Sequence, residues 1–209
     1  HNYQPSNAIN LGAGRTAVAV SAGEDHTCVI LDNGDLKCMG YNNNGQLGDG
    51  TTTNRATPVS VNLGTGRTAV AVSAGGSHTC AILDNGDLKC WGGGGAGALG
   101  HGAITNLLAP PSTAIDLGTG RTAVAVSAGG GNTCAILDNG DLKCWGSDNF
   151  GWLGDGGSTN THTNAPSSTA IDLGTGRTAV AVSSSGFYSS YHLSLKHISE
   201  PTRPDYISY

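Results

Sequence analysis

Charge is scarce in this chain of 209 residues, at 12%, and aromatic side chains are scarcer still, at 5%. The net charge of -5 comes from scattered Asp rather than an acidic block, so neither nucleic acid nor an anionic membrane is expected as a partner. No apolar run approaches the ~20 residues of a membrane span, which excludes insertion as a helix. Apolar residues nowhere recur at helical spacing over the length of a helix. None of the six cysteines stands in a Cys-x-x-Cys arrangement, so zinc is not expected. The GTGRT segments at Gly64, Gly118 and Gly174 lack a GKS/T signature and read as turns ahead of strands rather than phosphate cradles. The acidic LDNGDLK runs lack the alternating ligands and closing Glu of a calcium loop. No metal and no cofactor is expected, and no catalytic set can be assembled that is not itself repeated.

What the chain has is glycine, 34 residues of it, and repetition. HTCAILDNGDLKCWG (His78 to Gly92) has close copies at His26 to Gly40 and Asn132 to Gly146. In each, two short apolar runs flank Asp-Asn-Gly-Asp, the pattern of a tight β-hairpin. A two-residue Asn-Gly turn would set Cys80 opposite Trp91. A three-residue loop of Asp84, Asn85 and Gly86, with Gly86 left-handed, sets Cys80 opposite Cys90, where a disulfide can form. The same spacing pairs Cys28 with Cys38 and Cys134 with Cys144. Small buried thiols are the alternative. The disulfide reading implies an oxidising compartment and an extracellular or cell-surface location.

The Arg of GRTAVAVS marks repeat starts at Arg15, Arg67, Arg121 and Arg177. Periods near 50 residues are those of propellers and related arrays. From each of the first three arginines the spacing is fixed as far as Gly50, Gly102 and Gly156. Beyond these, the separations to Gly64, Gly118 and Gly174 are 14, 16 and 18 residues, and these are the loops expected to be free to vary. TAVAVSA reads as one strand, the hairpin supplies two, and a fourth is expected near Pro58 to Val61 and its counterparts. The fold class is therefore all-β, with four-stranded units that must stack on one another to bury both faces.

After Ser183 the pattern breaks. The run LSLKHISEPTRPDYISY resembles translated read-through of a sequencing adapter. Residues 193–209 are accordingly expected to be a non-native, disordered tail, with divergent coding sequence as the alternative, and residues 1–192 a partial repeat domain. Met39 is the only Met and the chain opens inside a repeat, so it is expected to be a fragment.

VAVSAGGSHTCAILDNGDLKCWG followed by Gly-x-Leu-Gly-x-Gly resembles the regulator of chromosome condensation repeat, in the cysteine-paired version of secreted bacterial proteins. The resemblance implies a β-propeller, usually of about seven blades, of which this chain would hold about three and a half. Functions in that family range from nucleotide exchange on a small GTPase with chromatin binding to inhibition of a secreted β-lactamase, and fold alone does not choose among them. The copies depart from one another at Gln46, Ala98 and Trp152, at Asn44, Ala96 and Phe150, and at Asn132, which replaces His26 and His78. Exposed aromatics on a rigid frame are usual binding anchors. Tyr41, Asn44, Gln46, Phe150 and Trp152 are the candidate ligand-binding residues, with interblade filling as the other reading of Phe150 and Trp152. His26 and His78 read as hydrogen-bonding scaffold. The function expected is non-catalytic binding of a protein or surface ligand, with a structural cell-surface array, then a polysaccharide-acting enzyme, as alternatives. Open blade edges are expected to make the fragment self-associate.

Overall fold

Each copy of TAVAVSAG begins a sheet. The computed structural model describes residues 8–157 and 162–184. The first sheet runs β1 (Ala17–Ala22), β2 (His26–Leu31), β3 (Leu36–Gly40), β4 (Arg55–Ser60) in spatial as in chain order. The second holds β5 (Ala69–Ala74), β6 (His78–Leu83) and β7 (Leu88–Gly92), and the third β8 (Ala123–Ala128), β9 (Asn132–Leu137), β10 (Leu142–Ser147) and β11 (His162–Thr163). Short 3-10 turns lie at Gly95–Gly97 and Asn149–Gly151. The result is an all-β arc of propeller blades.

The hairpins adopt the register that a three-residue loop requires. Cys80 lies opposite Cys90 and Ile82 opposite Leu88. The Gly86 N–H donates to Leu83 O and the Leu83 N–H to Asp87 O, both at 2.9 Å, with Gly86 at φ 80°. Asn85 braces the loop from both sides, its Nδ2 donating to Asp87 Oδ2 and its Oδ1 accepting from the Asp87 N–H. All six cysteines are paired, Cys28–Cys38, Cys80–Cys90 and Cys134–Cys144, with Cα atoms 4.0–4.1 Å apart, as in directly opposed, non-hydrogen-bonded strand residues.

The sheets converge at their first strands, and the Ser21 and Ser73 hydroxyls accept the Ala74 and Ala128 N–H groups at 2.9 Å. Val18, Val70 and Val124 fall at a bulge against the neighbouring strand and point to solvent. One face of every blade packs on the opposite face of the next, because strand side chains alternate. Ile30, Leu36, Leu47 and Cys28–Cys38 meet Ala81, Leu83 and Trp91. One blade on, Ile82, Leu88, Leu99 and Cys80–Cys90 meet Ala135, Leu137 and Trp145. Strand β6 is consequently buried on both sides along its length. Among the described residues no blade precedes β1, and Val20 stands 68% exposed.

The fourth strand differs from the expectation. It forms as expected only in the first blade. In the second it shrinks to a single bridge, Gly92 to Leu107, and the segment that follows carries Pro110 and Pro111, which have no N–H to give to a ladder. In the third it is displaced upstream to His162–Thr163. The same pairing survives in all three, as Gly40 with Arg55, Gly92 with Leu107 and Gly146 with Thr163. The fourth repeat is described only as far as Ser184, and the 193–209 tail lies outside the described residues.

Candidate functional site

The two edges of the arc have different chemistry. One carries the hairpin tips and the GTGRT turns, alike in every blade. Arg15, Arg67 and Arg121 pair there with Asp32, Asp84 and Asp138 at 3.4, 3.1 and 3.3 Å, and the Arg67 N–H closes the turn onto Gly64 O. The GTGRT segment is a turn before a strand. The opposite edge carries the segments that follow β3, β7 and β10, and no two are alike.

In the first blade this loop is built around Asn42, which is wholly buried. Its Oδ1 accepts the Leu47 N–H at 2.9 Å, and its Nδ2 donates to the Thr51 and Thr53 carbonyls and to Asp49 Oδ1. Asp49 also receives Arg55 Nε at 2.9 Å and the Thr51 hydroxyl at 2.7 Å. Burial raises the Asp49 pKa, but the hydrogen bonds from Thr51, Arg55 and Asn42 outweigh it and hold the carboxyl below its usual value. Tyr41 stands 38% exposed on this edge and accepts from Asn43 Nδ2 at 2.6 Å. Asn44 reaches the next blade, where Asn106 Nδ2 donates to its Oδ1.

In the second blade Gly94 replaces Asn42, and the chain from Thr105 folds against it so closely that a Cβ would overlap the Thr105 carbonyl. In the third, Asp148 takes the place of Asn42, buried, with its Oδ1 accepting the Leu153 N–H at 3.0 Å. Phe150 belongs to the 3-10 turn Asn149–Gly151 and Trp152 follows it, partly buried.

Gln46 is not on the exposed face. It is 1% exposed, and its Oε1 accepts the Asn44 N–H. Its backbone carbonyl joins two blades, accepting the Thr79 hydroxyl at 2.8 Å and Trp91 Nε1 at 3.1 Å. Ala98 O does the same for Thr133 and Trp145. The side chain at this position can vary because the main chain makes the junction, which periodic comparison of side chains could not show.

The same junction holds the histidines. His26 Nε2 lies 2.8 Å from Thr79 Oγ1, and His78 Nε2 lies 2.8 Å from Thr133 Oγ1. Each Thr hydroxyl has one proton and gives it to a carbonyl, so the ring must donate from Nε2. That leaves Nδ1 bare, buried and without a partner. Desolvation lowers both histidines to about 4, against a small opposing contribution from Asp25 at His26 and with His26 adding to the depression at His78. Burial thus holds both rings neutral, and each joins two hairpins through the threonine it donates to.

The variable loops are not free either. The Gly50 N–H donates to Leu108 O at 2.9 Å and the Gly102 N–H to Asn164 O at 2.8 Å, so each loop clasps the blade before it. Among the described residues no group of three or more His, Cys, Asp or Glu could hold a metal ion.

Models of the regulator of chromosome condensation (RCC1) repeat match residues 33–82 and, separately, 17–46, 69–98 and 123–151. The ultraviolet-B receptor UVR8 of Arabidopsis thaliana is 33% identical over 137 residues, 66% of this chain and 31% of the receptor. The E3 ubiquitin-protein ligase HERC2 of Homo sapiens is 32% identical over 152 residues, 70% of this chain but 3% of the ligase. Among solved structures, Prp20p from Saccharomyces cerevisiae superposes with a TM-score of 0.70 at 21% identity, covering 81% of this chain and 42% of Prp20p. Human WBSCR16 gives 0.69 at 22% identity, with 81% and 42% covered. The chain thus spans less than half the length of each. Three blades in register, each with its hairpin and Gly-rich loop in the same order, together with the matching repeat models, make this chain a member of the regulator of chromosome condensation repeat family.

Proposed function

We propose that this chain is the arc of a non-catalytic binding module, extracellular or at the cell surface, that recognises a protein or surface ligand through the edge bearing its unlike loops. One observation carries the reading: on a frame whose hairpins and junction hydrogen bonds repeat, the differences in loop length and in loop chemistry are gathered on one edge. Rigid frames with dissimilar loops on one side are how repeat proteins display recognition surfaces. Tyr41, Asn44, Phe150 and Trp152 are the recognition residues, and residues 1–192 form the unit. The three disulfides support an oxidising location. Relatives of the repeat type include a receptor and a ubiquitin ligase, and the Prp20p structure is described together with its binding to Gsp1p and histones. Those partners belong to those proteins.

The test is a binding screen of the immobilised chain against arrayed secreted proteins and cell-surface glycans. Hits should be lost in a Tyr41→Ala, Phe150→Ala, Trp152→Ala variant and in a variant carrying the first loop in place of the third, at unchanged melting temperature. Binding that survives both changes and disappears with Arg67→Ala and Arg121→Ala would move the site to the opposite edge and overturn the assignment.

A further inference from the structure

The first and third blades build the same loop with different charges. In the first, Asn42 Nδ2 lies in a cage of acceptors, 3.1 Å from Asp49 Oδ1, 3.0 Å from Thr51 O, 3.1 Å from Thr53 O and 3.4 Å from Thr51 Oγ1. An amide nitrogen brings its two protons to these oxygens, and Arg55 adds a cation, its guanidinium 2.8 Å from Asp49 Oδ2. That cage is neutral, a carboxylate against a guanidinium.

In the third blade the frame is kept and its donors are lost. Asp148 stands at the place of Asn42, 1% exposed, and its Oδ1 accepts the Leu153 N–H as that of Asn42 accepts the Leu47 N–H. The second oxygen of a carboxylate fixed in this way falls where the first blade has its amide nitrogen. Asp155 repeats Asp49, its Oδ1 accepting the Gly157 N–H at 2.8 Å where that of Asp49 accepts the Thr51 N–H at 3.0 Å. Thr163 repeats Arg55, since it pairs with Gly146 as Arg55 pairs with Gly40. One exchange turns a donor into an acceptor, and the other removes the cation.

The oxygens converge on a space. Gly157 replaces Thr51, and a Cβ built there would lie 3.1 Å from Asp155 Oδ1 and 3.7 Å from Asp148 Oδ2. The Thr163 side chain leaves its strand in the direction that takes Arg55 to Asp49, and its Oγ1 is buried without a hydrogen-bond partner. No Lys or Arg occurs between Asp148 and Thr163. His162, the basic residue of that stretch, is exposed and falls on the opposite face of β11. A buried carboxylate that meets a second one with no counter-charge is unfavourable unless the two share a cation.

We propose that Asp148, Asp155 and Thr163 form a calcium site in the third blade, where the metal does the work that the Asn42 amide and the Arg55 guanidinium do in the first. A few oxygen ligands of unequal reach, completed by water, suit calcium, which accepts irregular geometry, better than magnesium, which demands an octahedron. The metal ties the loop after β10 to β11. The site does not rest on the recognition reading.

The probe is Ca2+ alone, titrated by calorimetry into the chelator-treated full chain, with the melting temperature followed in parallel. One saturable site per chain is expected at roughly 10⁻⁴–10⁻³ M, with Mg2+ at least about tenfold weaker, and the melting temperature should rise as Ca2+ is added. Asp148→Asn restores the amide of the first blade, so it should melt no lower than the parent without Ca2+ and should lose the site. Asp155→Asn, at the open side of the cage, should weaken Ca2+ at least about tenfold, whereas Asp87→Asn, on the opposite edge, should leave it unchanged. Absence of saturable binding by the parent overturns the proposal, as does binding at the parent's affinity by either Asp148→Asn or Asp155→Asn.

Discussion

His26 and His78 show how much one proton can matter when its carrier is sealed between blades. The Thr hydroxyl beside each ring is already committed as a donor to a carbonyl, which sets the ring to donate from Nε2, and burial holds the ring neutral. Protonation would add an N–H at Nδ1 with no acceptor in reach. Both folded pKa values, about 4, lie below the ordinary 6.5, so below pH 6.5 the unfolded chain binds more protons than the folded one. Stability is therefore full above about pH 6.5 and falls as the pH drops toward 4, by about 1.4 kcal/mol per pH unit for each histidine. Urea unfolding at pH 7.5, 6.0 and 5.0 should show the loss, and His78→Asn should make the slope shallower. A second outcome follows at Thr79. Thr79→Val strands the His26 Nε2–H and removes a donor from Gln46 O, costing about 2–3 kcal/mol. Trp91→Phe removes only one bond to the same carbonyl and should cost about 1 kcal/mol beyond its packing change. Denaturant titration of both separates the relay from simple packing.

At the scale of the element, the hairpin is the unit that local sequence specifies most fully. Asp-Asn-Gly demands a left-handed glycine and an Asn brace, and both are present at each tip. The disulfide closes a loop of about ten residues, which corresponds to about 2.5–3 kcal/mol in the chain-entropy account. Replacing Cys80 and Cys90 together by Ser should lower stability by about that amount, measured by chemical denaturation against the oxidised parent, and peptide mapping without reduction should recover only the three local pairs. The fourth strand is the opposite case. Its place depends on where each loop meets Gly40, Gly92 or Gly146, and in the second blade only one bridge forms.

Over the whole molecule, the arc ends in two unlike surfaces. At its start Val20 is exposed, and Met39 is only partly buried where Trp91 and Trp145 are wholly buried. At its end, among the described residues, no strand pairs with the outer side of Ala179 to Ser184. Exposed apolar faces and unpaired edges drive association, so the chain in isolation should self-associate above micromolar concentration. Size-exclusion chromatography with light scattering checks this, and a monomer that melts in one cooperative step would refute it.

Taken alone, the sequence determined the repeat, the all-β class, the hairpin register and the three cysteine pairs, because each rests on interactions within about fifteen residues and is written three times. The junction was not so determined. Thr79 meets Gln46 and His26 across 33 and 53 residues, and the partner at Gln46 is a backbone carbonyl, which has no letter in the sequence. Variation among Gln46, Ala98 and Trp152 therefore reads as a sign of recognition, whereas the structure buries the first two at a blade contact. The loops that change in length read as free, yet packing turns them into clasps between neighbours through Gly50 and Gly102. Side-chain chemistry and local period are carried by the chain order, while main-chain partnerships between blades arise only when the sheets stack, and those partnerships decide which variable positions face solvent.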